Sequence, residues 1–178
     1  MGGKIDRAGR ARVLAYGSNL LEARMLERAP SALTVAVVRL PGHALRFHKM
    51  GRDGSGKADA FFTGRGEDSV WGLVYELSPA DKASLDLAEG LGRDYFELRV
   101  SVLAEDGRTV EAGLYVASPS MIDGRLGPFS WYKELVVTGA RRHGLPADYV
   151  ASLESVPAHA DADSGRVQAA SRLLAGPA

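Results

Sequence analysis

The order of strand-like and helical segments is the feature that most constrains the fold of this 178-residue chain. Short apolar segments typical of strands cover 12–15, 33–40, 43–49, 58–63, 70–77, 95–103 and 109–116. Helical patterns cover 20–28, 79–89, 131–142, 146–155 and 167–174. The strands do not alternate one-for-one with long helices, which disfavours a doubly wound parallel sheet. The sequence therefore predicts an α+β fold, in which a mixed sheet of about six strands curls into a small β-barrel flanked by helices.

The helix predicted over 79–89 carries its own start and stop signals. Ser78 is a favoured N-cap residue, and Pro79 suits the first helical position. Gly90 suits the left-handed conformation that ends many helices. Glu105-Asp106-Gly107, between two strand-like segments, predicts a hairpin turn in the same way. The sequence thus places position 89 at the end of a helix, directly before a chain reversal.

The composition is that of an ordinary globular protein, with 46% apolar and 25% charged residues. We predict a flexible leader over residues 1–10 and a single domain over 11–178. The formal net charge is zero, so we expect neither nucleic acid nor a membrane as a partner. The leader lacks the apolar segment of a secretory signal, and there is no cysteine. These features predict a cytoplasmic location.

The segment Tyr16-Gly17-Ser18-Asn19-Leu20 joins the first predicted strand to the first predicted helix. Gly17 lets the backbone turn tightly, and Ser18 or Asn19 is predicted to cap the helix. The N–H groups that open a helix lack partners within it, so they favour a carboxylate or an oxyanion. The sequence therefore predicts an anion-binding loop here. For Tyr16 alone, packing before the cap is an equal alternative.

Glu89 is the candidate acid/base residue. It ends an apolar-faced helix, immediately before Gly90, and Asp86 lies three residues earlier on the same helical face. A partly buried carboxyl group beside a second carboxylate suits proton transfer near neutral pH. On the residues alone, the alternative is a solvated acidic residue near a helix end.

Other candidate sites are weaker. The stretch from Gly51 to Lys57 has phosphate-loop spacing, but Ala58 stands where Ser or Thr belongs and a strand follows, so we predict a mobile loop. The four histidines show no metal-ligand spacing, and no nucleophile elbow is present. Three tyrosines could each supply a hydroxyl to a pocket, although each is more typical of half-buried packing: Tyr95, Tyr115 and Tyr132.

Taken together, these motifs resemble the γ-glutamylcyclotransferase family. The resemblance begins with Tyr-Gly-Ser-Asn-Leu after the first strand and continues with Ser-Leu-Asp-x-x-Glu-Gly on a later helix. It also includes the following segments: Val70 to Tyr75, Tyr132-Lys133, Gly139-Ala140, Gly144-Leu145-Pro146-x-x-Tyr149 and Gly165-Arg166-Val167. It thus covers nearly the whole chain after the leader.

The resemblance implies a small mixed β-barrel flanked by helices and a specific chemistry. The family cyclises a γ-glutamyl group to 5-oxoproline and releases an amine, with no metal or organic cofactor. By motif match, Glu89 would be the catalytic acid/base and Tyr95 a pocket-lining residue. The loop that holds the glutamyl portion would consist of Tyr16, Gly17, Ser18, Asn19 and Leu20. Two features depart from some relatives. The spacing between Glu89 and Tyr95 is short, and the residues from Gly56 to Phe62 differ.

The sequence leaves two alternatives to this function open. One is an enzyme that removes a γ-glutamyl group from a biosynthetic intermediate, and the other is a non-catalytic small-molecule binding protein on the same fold. In each case the expected partner is a small γ-glutamyl compound. The oligomeric state is open, with a homodimer as one alternative.

Overall fold

The computed structural model of the chain describes residues 9–176, so residues 1–8 of the predicted leader lie outside it. Its strands are β1 (Ala11–Ala15), β2 (Leu33–Pro41), β3 (His43–Met50), β4 (Gly56–Phe62), β5 (Ser69–Leu77), β6 (Tyr95–Ala104) and β7 (Thr109–Ala117). Its α-helices are α1 (Glu22–Arg28), α2 (Pro79–Glu89), α3 (Ser130–Arg142), α4 (Ala147–Ser155) and α5 (Ser164–Ala175). Two 3₁₀ turns cover Ser18–Leu20 and Pro119–Met121.

Five of these strands close a mixed barrel in the order β1-β5-β2-β6-β7. The pairing of β1 with β7 is parallel, and the other barrel pairings are antiparallel. Strands β3 and β4 pair with each other as a separate two-stranded ribbon. The predicted α+β barrel is confirmed. The barrel contains five strands rather than about six, and the other two form the ribbon. Apolar patterning identifies strands but does not reveal which ones pair.

The barrel interior is filled by side chains that alternate along the strands. Val38, Leu73, Val102 and Leu114 are fully buried there. Burying one such side chain stabilises the fold by about 1.5–3 kcal/mol. Helix α3 adds a second layer through Val136 and its neighbours. This packed frame holds the ends of β1 and α2 in place.

Helix α2 forms as its sequence predicts. The Ser78 hydroxyl accepts a hydrogen bond from the Asp81 amide at 3.2 Å, and Pro79 is the first helical residue. Gly90 takes the left-handed conformation, with φ at +67°, and its amide bonds the last carbonyls of the helix. The helix therefore stops directly after Glu89, and local sequence alone decides where that residue stands in the chain reversal.

The segment after β1 corrects one prediction. The expected helix over 20–28 is divided into the 3₁₀ turn and α1, and neither Ser18 nor Asn19 caps it: Gly17 and Leu21 occupy the cap positions without a side-chain cap bond. The Asn19 side chain does not cap the helix because it forms hydrogen bonds with Glu89 of α2 and Arg28 of α1 instead. Helix α3 also packs tightly on the turn, since a Cβ at Gly139 would lie 2.4 Å from the Leu20 carbonyl carbon.

The tail of the chain forms a longer helix than predicted. Helix α5 spans Ser164–Ala175 rather than 167–174, because the Asp163 side chain caps it by accepting from the Arg166 amide at 3.0 Å. Arg166 also pairs with Asp161, whose carboxylate accepts the Trp131 indole N–H at 2.8 Å. These contacts tie the tail to α3. Among residues 9–176, no helix has the length and apolar character needed to cross a bilayer.

Candidate active site

A cavity lies where the end of β1, the 3₁₀ turn and the end of α2 meet. Its volume, including the part open to solvent, is about 350 Å³. The residues that line it come from seven elements and their flanks: Leu14, Ala15, Tyr16, Gly17, Ser18, Asn19, Ala58, Glu89, Tyr95, Tyr115 and Tyr132. Six of the seven predicted site residues are thus in its wall. The seventh, Leu20, lies outside the lining, fully buried in the core.

Glu89 is held in the wall of the cavity by two donors on one of its oxygens. Its Oε1 accepts from Asn19 Nδ2 at 2.9 Å and from Arg28 Nη1 at 2.7 Å. Arg28 Nη1 also lies 3.0 Å from Asn19 Oδ1, which closes a three-residue network. Among the described residues no donor contacts Oε2 of Glu89. The carboxyl group is therefore fixed at one oxygen and retains an acceptor at the other.

The charge beside Glu89 differs from the one expected. The sequence pointed to Asp86 as its neighbour, but the Asp86 carboxylate accepts from Lys82 and from the Tyr115 hydroxyl, each at 2.5 Å. The closest charged group to Glu89 is Arg28, from α1. Sequence reasoning missed Arg28 because nothing in its local pattern distinguishes it from any basic residue in a last helical turn. Its Nη1 bonds residues 9 and 61 positions away.

The loop offers backbone donors to the cavity. The amide of Leu20 bonds the Gly17 carbonyl at 3.0 Å, and that of Leu21 bonds the Ser18 carbonyl at 3.2 Å. Within residues 9–176 the amides of Ser18 and Asn19 donate to no acceptor. Ser18 is buried and Asn19 half-buried, and backbone N–H groups removed from water are normally paired, so these two are suited to an anionic ligand.

Gly17 is required for a reason other than the predicted one. Its φ is −106°, outside the left-handed region that favours glycine. A Cβ there would lie 3.0 Å from the Ala58 Cβ and 3.3 Å from the Tyr132 hydroxyl. Space, rather than backbone freedom, therefore explains glycine at this position.

Four tyrosines form the frame of the cavity, and their hydroxyls bond the protein. Those of Tyr16 and Tyr95 donate to the carbonyls of Tyr115 and Ala58 respectively, and that of Tyr132 accepts from the Ala58 amide at 3.2 Å. Ala58 of β4 is thus held on both sides, which fastens the ribbon over the barrel. Burial raises the pKa of all four phenols, which stay neutral at physiological pH: Tyr16, Tyr95, Tyr115 and Tyr132.

The phosphate-loop look-alike and the four histidines do not line this cavity. Strand β4 begins at Gly56, so a strand and not a helix follows the phosphate-loop look-alike, as predicted. The loop is organised around Asp53, whose carboxylate accepts from Ser55 and from Lys57. Of the histidines, His48 is buried against Asp59 at 2.8 Å. Among the residues that the structure describes, no three acidic or histidine side chains cluster as a metal ion would require.

Comparison with known proteins identifies the family. A family model described as the AIG2-like family matches residues 69–153. The γ-glutamylcyclotransferases of Bos taurus and Homo sapiens are each 32% identical to this chain over 147 residues, which is 80% of this chain and 76% of each relative. This chain belongs to the γ-glutamylcyclotransferase family. The family assignment made from the sequence motifs is thereby confirmed.

Structural comparison agrees with membership of the γ-glutamylcyclotransferase family. A solved structure of a γ-glutamyl cyclotransferase matches this chain with a TM-score of 0.80 and 25% sequence identity. The match covers 92% of this chain and 99% of that protein. The barrel, the ribbon and the flanking helices are therefore the architecture of this family.

Proposed function

We propose that this protein cyclises the γ-glutamyl group of a small amide to 5-oxoproline and releases the free amine, with Glu89 as the acid/base. The observation that carries the proposal is that Glu89 lines the same cavity as Ser18 and Asn19, whose backbone amides are unpaired among residues 9–176. Membership of the family supports the same chemistry. The location in the cytoplasm and the absence of a cofactor stay predictions, and the oligomeric state stays open, with a homodimer as one alternative.

The reaction is an intramolecular attack, so the reacting groups are already linked. The protein must select the folded-back conformer of the glutamyl chain and move a proton. The substrate α-ammonium loses a proton, and its nitrogen then bonds the γ-carbonyl carbon to close the five-membered ring. The ring nitrogen gives up a second proton as it becomes the lactam N–H, and the bond between the carbon and the leaving nitrogen breaks as the leaving nitrogen takes up a proton. The two protons lost by the α-nitrogen are thus balanced by the two that the leaving nitrogen gains when the amine is released as an ammonium ion.

Glu89 is suited to move that proton in both directions. Its Oε1 is occupied by Asn19 and Arg28, so Oε2 is the oxygen left to accept a proton from the α-ammonium. The same oxygen then returns the proton to the departing nitrogen. General acid/base transfer of this kind contributes about 10²–10⁴ in rate.

The unpaired amides supply the second element of the mechanism. The tetrahedral intermediate carries a negative oxygen, and a backbone donor aimed at such an oxygen contributes about 3 kcal/mol. The substrate α-carboxylate is the other anion that these amides suit. The four neutral phenols complete an enclosing wall, and their hydroxyls are already bonded to the protein.

The test is the release of 5-oxoproline from γ-glutamyl dipeptides and amines, followed by mass spectrometry. Glu89→Gln should keep the fold, because the amide oxygen can still accept from Arg28, but should lower turnover at least about 100-fold. The matched control is Glu105→Gln, which makes the same change at an exposed hairpin residue and should retain wild-type turnover. Near-normal turnover by Glu89→Gln would reject the role of Glu89.

The same panel addresses the alternative functions. Turnover confined to bulky leaving groups would favour removal of a γ-glutamyl group from a biosynthetic intermediate. Calorimetric binding of the γ-glutamyl compounds without any product, at several pH values, would favour a non-catalytic binding protein.

A further inference from the structure

The catalytic cavity continues outward into a second and larger one, which we call the basin. The two share Ser18, Glu89, Tyr95 and Tyr132, and the basin has an empty volume of about 790 Å³. Its other lining residues are Arg24, Arg28, Lys49, Gly51, Arg52, Asp53, Lys57, Ala88, Asp94 and Trp131. The leaving group of a glutamyl substrate bound in the inner cavity would therefore have access to the basin.

The lining of the basin carries an excess of positive charge. Five cations face three carboxylates. Each carboxylate already has a partner in the lining: Glu89 with Arg28 at 2.7 Å, Asp94 with Lys49 at 3.4 Å, and Asp53 with Lys57 at 2.6 Å. Two guanidinium groups, those of Arg24 and Arg52, are left without a carboxylate partner in the lining.

The setting of Arg24 leaves capacity for an anion. It bonds the exposed Glu27 at 2.8 Å, outside the basin, and its buried Nε has no hydrogen-bond partner within the described residues. Burial and the neighbouring charge of Arg28 lower the pKa of the Arg24 guanidinium. Two like charges next to each other cost free energy, which a bound anion would offset.

Arg52 is the second cation of the basin without a carboxylate partner in the lining. It is an exposed residue of the loop between β3 and β4, and no described carboxylate pairs with it. Trp131 and Tyr132 also line the basin, and Lys57 Nζ lies over their rings at 4.8 and 4.5 Å from the centroids. The lining of the basin thus contains two cations without a carboxylate partner there, which suit the anionic ends of a leaving group.

We propose that the basin selects γ-glutamyl substrates by the negative charge of the leaving group, with Arg24 and Arg52 as specificity-determining residues. Leaving groups with two carboxylates are preferred to those with one, and both are preferred to uncharged amines. This inference rests on the proposed cyclisation, because it concerns the leaving-group side of the same site.

The test compares kcat/KM for γ-glutamyl-aspartate, γ-glutamyl-alanine and γ-glutamyl-ethylamide. For wild-type protein we expect values that fall in that order. Arg52→Gln and Arg24→Gln should each lower the ratio of the aspartate to the ethylamide substrate about threefold to tenfold. High salt should reduce the same ratio in the wild type, because it screens exposed charges.

The control is Arg39→Gln, which makes the same change of net charge at an exposed residue of β2 that lines neither cavity. It should leave the ratio at the wild-type value. Because Arg52 is exposed, its variant should fold even if that of Arg24 does not. Dissociation constants of the three compounds for Glu89→Gln, measured by calorimetry, should follow the same order.

The outcomes distinguish this inference from the proposed function. If no compound yields 5-oxoproline, the cyclisation itself is wrong. If 5-oxoproline forms but the three substrates are equal, or rank in the opposite order, the charge selection is wrong while the cyclisation stands. An equal loss of the ratio in Arg39→Gln would overturn the assignment to Arg24 and Arg52.

Discussion

Arg28→Met is the substitution that best tests how the catalytic geometry is held. Methionine keeps most of the length and apolar packing of the arginine stem but removes the guanidinium group. The change breaks the 2.7 Å bond to Glu89 Oε1 and the 3.0 Å contact with Asn19 Oδ1. Glu89 is then held by the Asn19 amide alone.

The magnitude follows from the burial of the pair. Exposed ion pairs contribute at most about 1 kcal/mol, whereas breaking a fully buried pair costs about 3–5 kcal/mol. The side chains of Arg28 and Glu89 are 20% and 16% exposed, which lies between these limits. We therefore expect the free energy of unfolding to fall by about 2 kcal/mol at neutral pH.

The kinetic effect should be larger than the loss of stability suggests. A reacting group displaced by about 1 Å can lose about 100-fold in rate. We expect kcat for 5-oxoproline release to fall about tenfold to 100-fold, with a smaller change in KM. Arg28→Lys should be intermediate, because an ammonium keeps the charge but lacks the planar, rigid geometry of the guanidinium group.

The assay combines urea unfolding with steady-state kinetics. Arg12→Met is the matched control, because Arg12 forms a similar partly buried pair with Glu76 at 2.6 Å and lines neither cavity. It should lower stability without lowering kcat. Wild-type kcat in a folded Arg28→Met protein would refute the idea that Arg28 positions Glu89.

Two further predictions follow from the frame of the cavity. Gly17→Val should raise KM or lower kcat at least about tenfold, because a side chain at this position meets Ala58 and Tyr132. A change in KM assigns the loop amides to the α-carboxylate, and a change in kcat assigns them to the oxyanion. Unchanged kinetics would exclude the loop from the site. The six tyrosines all have a raised pKa, so their contribution to stability is intact below about pH 10 and declines above it by about 1.4 kcal/mol per pH unit for each. Urea unfolding across this pH range measures the slope of the free energy of unfolding against pH. Tyr95→Phe separates the contribution of one phenol from that of the titrating lysines. An unchanged slope in that variant would contradict the burial of Tyr95.

Much of the fold and part of the site could be predicted from local sequence. Ser78, Pro79 and Gly90 carry the bounds of α2, and with them the position of Glu89 at a chain reversal, because caps act through hydrogen bonds a few residues apart. The Tyr16–Asn19 loop was located in the same way, as a turn between a strand and a helix. The helix start within it was misplaced, because the signal for capping by Asn19 competes with distant partners that no local pattern reveals.

Local sequence patterns therefore predict most of the helices and strands, their order and the motifs of the family. Only the tertiary structure decided that β3 and β4 stand outside the barrel, that Leu20 turns into the core, and that Arg28 rather than Asp86 faces Glu89. The difference lies in the sequence separation of the residues that interact. Helix caps and turns are settled between residues a few positions apart, whereas Glu89 bonds partners 61 and 70 positions away, which come together only when the barrel closes and α1 packs beside α2.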